Sequence, residues 1–323
     1  MRPPDRPPMP PLEQTLRELN ELLAEHALPP CTRLEPVDDP DTANPNLIGH
    51  AAGRRYAIKV CFRHPDALER QLCVANAVAE STGLPIPRHL CCATEPDRLP
   101  LMVMEWMQGE QLARVLPAAG PGVAAELVRD WGRCVARFHH AQVEPHECGD
   151  WPDVAEAHAG FRAWVRGAVR QRLEALEADA RWSAVEAGAV RGYLAEREAS
   201  LETPGVPGLV KADQGLRDAL ALVEPRPHIS ALLDWERVTM GDTLWELASI
   251  FVRMDLDGLW PDFRKGYEGE AGPPLPPGPH SEFYLMTWAL IQVTWSDLPS
   301  TRYERAQSIL RALLVGPPLP SGV

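Results

Sequence analysis

The sequence has little of what marks membrane, secreted or nucleic-acid-binding proteins. It contains no apolar run of about 18 residues, the length that a membrane-spanning helix needs. The opening segment MRPPDRPPMPP lacks the apolar core of a signal peptide, so we expect a cytoplasmic protein. A basic surplus is also missing, since the formal net charge is -13 and the pI is near 5.3. Nucleic acid and anionic membranes call for basic surface, and we therefore expect neither as a partner.

Metal-binding cysteine patterns are absent as well. The seven cysteines include no CxxC pair, and their scattered spacing argues against a zinc site. Hydrophobic residues make up 45% of the chain and charged residues 24%, which is ordinary for a globular protein. A chain of 323 residues can bury a substantial core, either in one two-lobed protein or in two small domains.

Two segments place three carboxylates at the edges of apolar strands. LVKADQGLRDALAL contains Asp213 and Asp218, and ALLDWERVTMGDTLWELA contains Asp234 directly after Ala-Leu-Leu. If the two strands pair as a hairpin, the three carboxylates meet at one end of it. Such a group of oxygen ligands suits a divalent cation together with a proton acceptor.

These segments resemble the catalytic loop, HGDxxxxN, and the metal-binding IDWE segment of aminoglycoside phosphotransferases and related small-molecule kinases. The resemblance implies that Asp213 is the catalytic aspartate, and that Asp234 and Asp218 hold Mg²⁺. GDTLWELA is similar to the GDPxxDLA run that follows in the same family. Two positions depart from the pattern: Lys211 stands in place of the histidine, and Asp218 in place of the asparagine.

Lys211 allows two interpretations. It buttresses the loop through a salt bridge to Asp234 or a bond to a backbone carbonyl, or its ammonium offsets the extra charge of Asp218. An aspartate at 218 keeps an oxygen ligand for a cation, but its charge repels a triphosphate when the metal is absent.

An upstream strand carries a lysine suited to phosphate binding. In RRYAIKV the alternation puts Tyr56, Ile58 and Val60 on one face and Lys59 on the other. The segment resembles the VAIK strand of kinases, which implies that Lys59 holds the α- and β-phosphates of a nucleotide. Glu69, in the helical stretch DALERQLCVANAVAEST, is the predicted ion-pair partner of Lys59.

Other nucleotide contacts follow from position in the resembled family. The loop VDDPDTANPN contains no glycine, and it either lets Thr42 or Asn44 reach a phosphate or is simply a polar turn. PLMVMEWMQGEQL resembles the last N-lobe strand and the hinge, which implies base contacts through the Glu105 carbonyl and the Met107 amide. Backbone contacts of this kind do not distinguish ATP from GTP.

The resemblance, which LPIPRHL and WGRCVARFHH extend, covers roughly residues 30–250 and implies an α+β, two-lobed, protein-kinase-like fold. Residues 1–11 are expected to form a disordered tail. Residues 12–106 are expected to form a nucleotide-binding N-lobe whose antiparallel sheet has strands over 31–37, 46–51, 54–61, 89–93 and 101–105. Residues 107–323 are expected to form a mainly helical C-lobe with the catalytic loop, the metal site and the acceptor site.

The acceptor is expected between the helical insertion at 140–205 and the helices after residue 250. The candidate contacts there are Asp255, Asp257, Trp260, Asp262 and Trp288. Carboxylates suit a cationic antibiotic, and tryptophans suit stacking on a base or a sugar. The alternative is that the aromatic residues form core and the acidic residues a solvated face.

Three functions agree with these observations. The first is a phosphotransferase that uses Mg²⁺ and ATP or GTP to phosphorylate a hydroxyl of a small molecule, an antibiotic in the preferred interpretation. The second is a metabolic kinase for a sugar, a choline-like alcohol or homoserine. The third is a nucleotide-binding pseudokinase, which the departures at 211 and 218 allow. The joint presence of Lys59, Asp213 and Asp234 argues against the third.

Overall fold

The structure, a computed structural model, describes residues 9–37, 44–62, 65–142, 154–202, 205–211, 214–254, 258–271, 278–295 and 300–315. Over these residues an antiparallel sheet dominates the N-terminal part and helices dominate the C-terminal part. The predicted fold class is therefore confirmed.

The N-terminal part consists of one sheet and two helices. Its elements are α1 (Leu12–Glu25), β1 (Cys31–Pro36), β2 (Asn46–Ala51), β3 (Arg54–Val60), α2 (Leu68–Thr82), β4 (His89–Ala93) and β5 (Leu101–Glu105). The strand order is β1-β2-β3-β5-β4, and every neighbouring pair is antiparallel. All five predicted strands are present, although β1 and β3 end one residue earlier than expected.

Alternation along β3 decides which face of the sheet is apolar. Tyr56, Ile58 and Val60 are each at most 1% exposed, as their spacing predicts. Lys59 lies on the opposite face, where it pairs in register with Asn46 of β2 and Met102 of β5. The apolar face is covered by the leucines of α1, each of which contributes about 1.5–3 kcal/mol when fully buried.

The C-terminal part is mainly helical and holds two small sheets. Its helices are α3 (Leu112–Val115), α4 (Pro121–His139), α5 (Val154–Ala178), α6 (Ala184–Arg197), α7 (Thr243–Met254), α8 (Trp260–Ala271), α9 (Pro279–Val293) and α10 (Ser300–Val315). β7 (Pro207–Val210) pairs with β10 (Thr239–Asp242), and β8 (Ala219–Leu222) lies between β6 (Glu110–Gln111) and β9 (His228–Leu232). None of the helices in the described ranges is both long and apolar enough to cross a membrane.

Glycine lets α4 and α8 approach closely. A Cβ added at Gly266 would lie 1.9 Å from the backbone oxygen of Arg129, and one added at Gly132 would lie 2.3 Å from the oxygen of Phe263. Any side chain at these positions would therefore force the helices apart. Trp131 packs edge-on against Phe263 at the same contact, with 5.2 Å between the ring centroids. The pair of helices forms one wall of the core beneath β9.

Candidate active site between the two lobes

The β8–β9 hairpin brings two of the predicted carboxylates together. Ala219 pairs with Leu232 at the end of the hairpin, and the Leu233 amide then donates to the Asp218 carbonyl at 2.7 Å. Asp218 therefore precedes β8 at the same end where Asp234 follows β9. The convergence of these two residues agrees with the sequence prediction, whereas Asp213 and the adjoining Ala212 lie outside the described residues.

Asp234 occupies an unusual backbone conformation. Its φ is 62°, in the left-handed region that non-glycine residues enter at a cost of order 1 kcal/mol or more. Aspartate tolerates this region better than most residues. Asp234 follows the end of β9 by two residues, and its carboxylate there meets Lys59 of the N-terminal lobe.

Lys59 of β3 reaches across to this turn. Its Nζ lies 2.6 Å from Asp234 Oδ1 and 2.9 Å from Glu236 Oε2, and its side chain is 12% exposed. Burial alone would lower the pKa of Lys59, but the charges of Asp234 and Glu236 outweigh it and raise that pKa. Burial likewise favours a higher pKa for Asp234, and the charges of Lys59 and Lys211 reverse the effect. Both groups are therefore charged at neutral pH, and the pair ties the two lobes together.

The predicted ion pair between Lys59 and Glu69 is not formed, and that prediction is wrong. Glu69 lies on the outer side of α2, where its carboxylate accepts a hydrogen bond from Thr94 Oγ1 at 3.0 Å. The residue that faces inward is Gln71, which is 3% exposed. Two residues turn a helix by about 200°, so Glu69 and Gln71 point in opposite directions. Glu236 pairs with Lys59 instead.

Lys211 is almost completely buried, with 1% exposure. Its Nζ donates to the Leu233 carbonyl and lies 5.3 Å from the centroid of the Trp235 ring. The bond to a backbone carbonyl is one of the buttressing contacts expected for this position. The ammonium also lowers the pKa of both Asp218 and Asp234, so it offsets their charge as the second interpretation holds.

The groups around Asp218 act on its pKa in opposite directions. Burial and the nearby charge of Asp234 raise the pKa of Asp218, whereas Lys211, the Gly215 amide at 2.7 Å and Arg253 act to lower it. The net pKa is above the ordinary value for aspartate. Arg253, from α7, also donates to the carbonyl of Gln214, close before β8, at 3.1 Å.

The pair Asp218 and Asp234 fits the requirements of Mg²⁺. Magnesium takes oxygen ligands and is usually held by one or two carboxylates, with water and substrate phosphates completing its shell. Within the described ranges no group of three or more histidine, cysteine or acidic side chains could hold a metal on its own. Two carboxylates with a nucleotide meet the need without such a group.

Of the predicted nucleotide contacts, Asn44 lies beside the Lys59 ion pairs. Asn44 is 4% exposed, and its Nδ2 donates to Glu236 Oε2 at 3.1 Å. Glu105 ends β5 opposite Tyr56, and Met107 follows in the connection to β6. Thr42 lies outside the described residues.

The structure corrects two of the acceptor residues proposed from the sequence, Trp260 and Trp288. Trp260 is 2% exposed and stacks on Phe263, and Trp288 is 6% exposed with its Nε1 donating to the Trp245 carbonyl at 2.9 Å. Both are core residues, because Trp260 lies on the inward face of α8 and α9 is buried on almost all sides. Asp262 is paired with Arg129 at 2.9 Å. Asp255 and Asp257 lie outside the described residues.

Sequence reasoning missed three groups around the site. They are Glu236, which accepts from Lys59, Glu246, which accepts the Lys211 amide at 2.6 Å, and Arg253, which donates to the Gln214 carbonyl. Glu246 lies inside the quoted GDTLWELA run, and that position was the available signal. Arg253 follows it by seven residues on α7, so helical periodicity places the two on one broad face.

An exposed aromatic residue was missed as well. Trp164 of α5 is 50% exposed, and 5.2 Å separate the centroids of its ring and the Trp245 ring.

Comparison with known proteins identifies the family of the chain. Residues 41–282 match the phosphotransferase enzyme family. No curated protein sequence matches the chain significantly. Solved structures with a similar fold include a thermostable mutant of aminoglycoside phosphotransferase APH(4)-Ia with AMP-PNP and hygromycin B, at 19% identity and a TM-score of 0.62, covering 92% of this chain and 98% of that one.

Two further structures widen the range of relatives. The streptomycin-ATP complex of APH(2")-IIa is 12% identical, with a TM-score of 0.60 and coverage of 94% of this chain and 97% of that one. The microcompartment-associated aminopropanol kinase is 14% identical, with a TM-score of 0.56 and coverage of 87% and 90%. At such identities these structures show a shared fold alone. The sequence match spans well over half of the chain, which therefore belongs to the phosphotransferase enzyme family and is a small-molecule phosphotransferase.

Proposed function

We propose that this protein moves the γ-phosphoryl group of ATP or GTP to a hydroxyl of a small molecule. The acceptor that we favour is an antibiotic. One observation carries the proposal. A lysine of the N-terminal sheet, Lys59, meets two carboxylates beyond the β8–β9 hairpin, with Asp218 at the same end of the hairpin. A cation that can bind phosphates and carboxylates that can hold a metal are thus adjacent.

Each of these residues has a separate role in the proposed phosphoryl transfer. Phosphoryl transfer needs little covalent work from a protein; it needs an acceptor in line and positive charge near the phosphates. Lys59 donates to the α- and β-phosphates, and Asp213 accepts or orients the proton of the acceptor hydroxyl. Asp218 and Asp234 would hold Mg²⁺, which when bound offsets the charge of the phosphates. The base is expected to bind through the backbone of Glu105 and Met107.

The arrangement also defines what must change when nucleotide enters. Lys59 and Asp234 are bonded to each other at 2.6 Å. In the proposed complex Lys59 would bind the phosphates and Asp234 would bind Mg²⁺. Asn44, bonded to Glu236, has its Oδ1 buried without a hydrogen-bond partner. We expect binding to exchange these contacts for phosphate and metal contacts.

An antibiotic acceptor is supported by relatives of the same fold that are described with hygromycin B and with streptomycin. A metabolic acceptor is the second candidate, and the similar aminopropanol kinase favours it. A cytoplasmic location, where nucleoside triphosphates are available, is part of either proposal. The predicted Asp255 and Asp257 contacts to the acceptor stay predictions.

A panel of acceptors separates the two candidates. Purified protein with Mg²⁺ and ATP, or GTP, would be incubated with hydroxylated antibiotics and with sugars, amino alcohols and homoserine, and nucleoside diphosphate release would be measured. Release that depends on one antibiotic class supports the proposal. Rapid release with a common metabolite and none with any antibiotic would favour the metabolic kinase. Asp234→Ala serves as the inactive control.

A further inference from the structure

The contacts around Lys59 give a specific role to Glu236, the last residue of the LLDWE segment, for which the resemblance to the IDWE segment implies none. We propose that Glu236 is a positioning residue that holds Lys59 in place while Asp234 turns to the metal. This inference rests on the proposed function, since it concerns the binding of nucleotide with Mg²⁺. It is carried by the geometry of Glu236 and by the neutral residue on the inner face of α2.

Glu236 is fixed where it can act on the N-terminal lobe. Its Oε2 accepts from Lys59 Nζ at 2.9 Å and from Asn44 Nδ2 at 3.1 Å, and its side chain is 16% exposed. The preceding residue, Trp235, is 2% exposed and donates from Nε1 to the Leu232 carbonyl at 3.0 Å. The buried indole therefore anchors the turn, and Glu236 joins β3 and the segment before β2 to the chain that follows β9.

Helix α2 does not supply this carboxylate. In protein kinases a glutamate of the corresponding helix pairs with the strand lysine. Here the inward position is held by Gln71, whose Nε2 lies 3.5 Å from His89 Nε2. Among the residues that the structure describes, the carboxylates bonded to Lys59 are Asp234 and Glu236.

Asp234 has two duties that compete. Its carboxylate is bonded to Lys59 and is also a proposed ligand of Mg²⁺. Without Glu236, Asp234 would be the remaining carboxylate bonded to Lys59. Mg²⁺ would then have to displace the Lys59 ammonium from Asp234. Glu236 gives Lys59 a second carboxylate, so Asp234 can be released while the ammonium stays beside the phosphate site. The exchange is one of ionic contacts, and no covalent bond changes.

The first test is the Mg²⁺ dependence of AMP-PNP binding, measured by isothermal titration calorimetry at fixed nucleotide. In Glu236→Gln we expect the Mg²⁺ concentration at half-saturation to rise about tenfold, since a hydrogen bond to a charged group contributes of that order. Glu236→Asp, which keeps the charge, should lie between the two. Glu69→Gln makes the same chemical change on the exposed side of α2 and is the matched control, with no shift expected.

The second test needs neither metal nor nucleotide. The sequence contains three lysines, of which Lys265 is exposed and Lys211 is buried. An amine-selective reagent followed by peptide mass spectrometry would report the labelling of Lys59 relative to Lys265. In Glu236→Gln we expect Lys59 to label several-fold faster, because one of its two carboxylates is gone.

The two readouts separate this inference from the proposed function. An unchanged Mg²⁺ dependence in Glu236→Gln, in a wild-type protein that binds AMP-PNP, would overturn the role of Glu236. Equal labelling of Lys59 in both proteins would overturn it as well. Failure of the wild-type protein to bind AMP-PNP at any Mg²⁺ concentration would instead contradict the proposed function.

Discussion

The carboxylate of Glu246, completely buried in α7, accepts the backbone amide of Lys211 at 2.6 Å. This bond crosses 35 residues of sequence and ends two residues before Asp213. It connects the helical core to the start of the catalytic-loop segment. The position of that segment therefore depends on a side chain that touches neither nucleotide nor metal in the proposed function.

Loss of this bond should destabilise the protein. Glu246→Ala leaves the buried Lys211 amide without its partner, and we expect the free energy of unfolding to fall by about 1–3 kcal/mol. Glu246→Gln keeps an acceptor oxygen and should lose less. Denaturant unfolding followed by tryptophan fluorescence measures both. Equal stability of the alanine variant and the wild-type protein would mean that the bond contributes nothing.

The contact between α4 and α8 provides a matched pair of substitutions on one helix. In Gly266→Ala the new Cβ would lie 1.9 Å from the Arg129 oxygen, so backbone must shift, at a cost of about 1–3 kcal/mol. In Gly269→Ala the Cβ meets nothing within 4 Å, and the higher helix propensity of alanine should stabilise by up to about 1 kcal/mol. Thermal unfolding should shift in opposite directions for the two variants. A shift of the same sign would contradict the packing described.

A buried histidine makes stability depend on pH. Burial lowers the pKa of His89 to about 4 from 6.5, and its Nδ1 donates to the Pro87 carbonyl at 2.9 Å. Because the folded pKa is depressed, His89 favours folding fully above about pH 6.5, and the contribution is lost as pH falls towards 4. The loss should reach about 3 kcal/mol, from the pKa difference at 1.36 kcal/mol per unit.

The control for this effect is His89→Gln, which cannot titrate and can still donate to the Pro87 carbonyl. The unfolding free energies of both proteins would be measured between pH 7 and pH 4. We expect the difference between their pH slopes to account for the His89 contribution. Parallel slopes would show that His89 titrates alike in the folded and unfolded states.

Asp218→Asn should have two opposite effects. The pKa of Asp218 is raised in the fold, chiefly by burial, so its ionisation at neutral pH opposes folding. The metal-free variant should thus unfold at a higher temperature at pH 7, and the gain should vanish below about pH 4, where aspartate is protonated in both states. The variant should also need more Mg²⁺ for half-maximal activity. A less stable variant with unchanged Mg²⁺ dependence would contradict both.

The sequence predicted correctly the features that depend on residues close together along the chain. Alternation placed Lys59 opposite the apolar face of β3, and hairpin pairing placed Asp218 near Asp234. The predicted partner of Lys59 was wrong, because that prediction depended on the exact register of α2. Glu69 and Gln71 are two residues apart and point to opposite sides of this helix. Sequence reasoning failed also for Trp288, since α9 is buried almost all round and its sequence has no exposed face to identify. Glu236 contacts Lys59 across 177 residues, which no local pattern encodes.

The most direct test of the account is a comparison of the wild-type protein with Asp213→Ala, using mass spectrometry of the acceptor that gives the fastest nucleoside diphosphate release. The wild-type protein should add about 80 Da, one phosphoryl group in place of a hydroxyl proton. Asp213→Ala should slow this addition at least about a hundredfold, as expected on removal of a general base, with nucleotide binding nearly intact. An unchanged rate in Asp213→Ala would remove that residue from the mechanism and contradict the account.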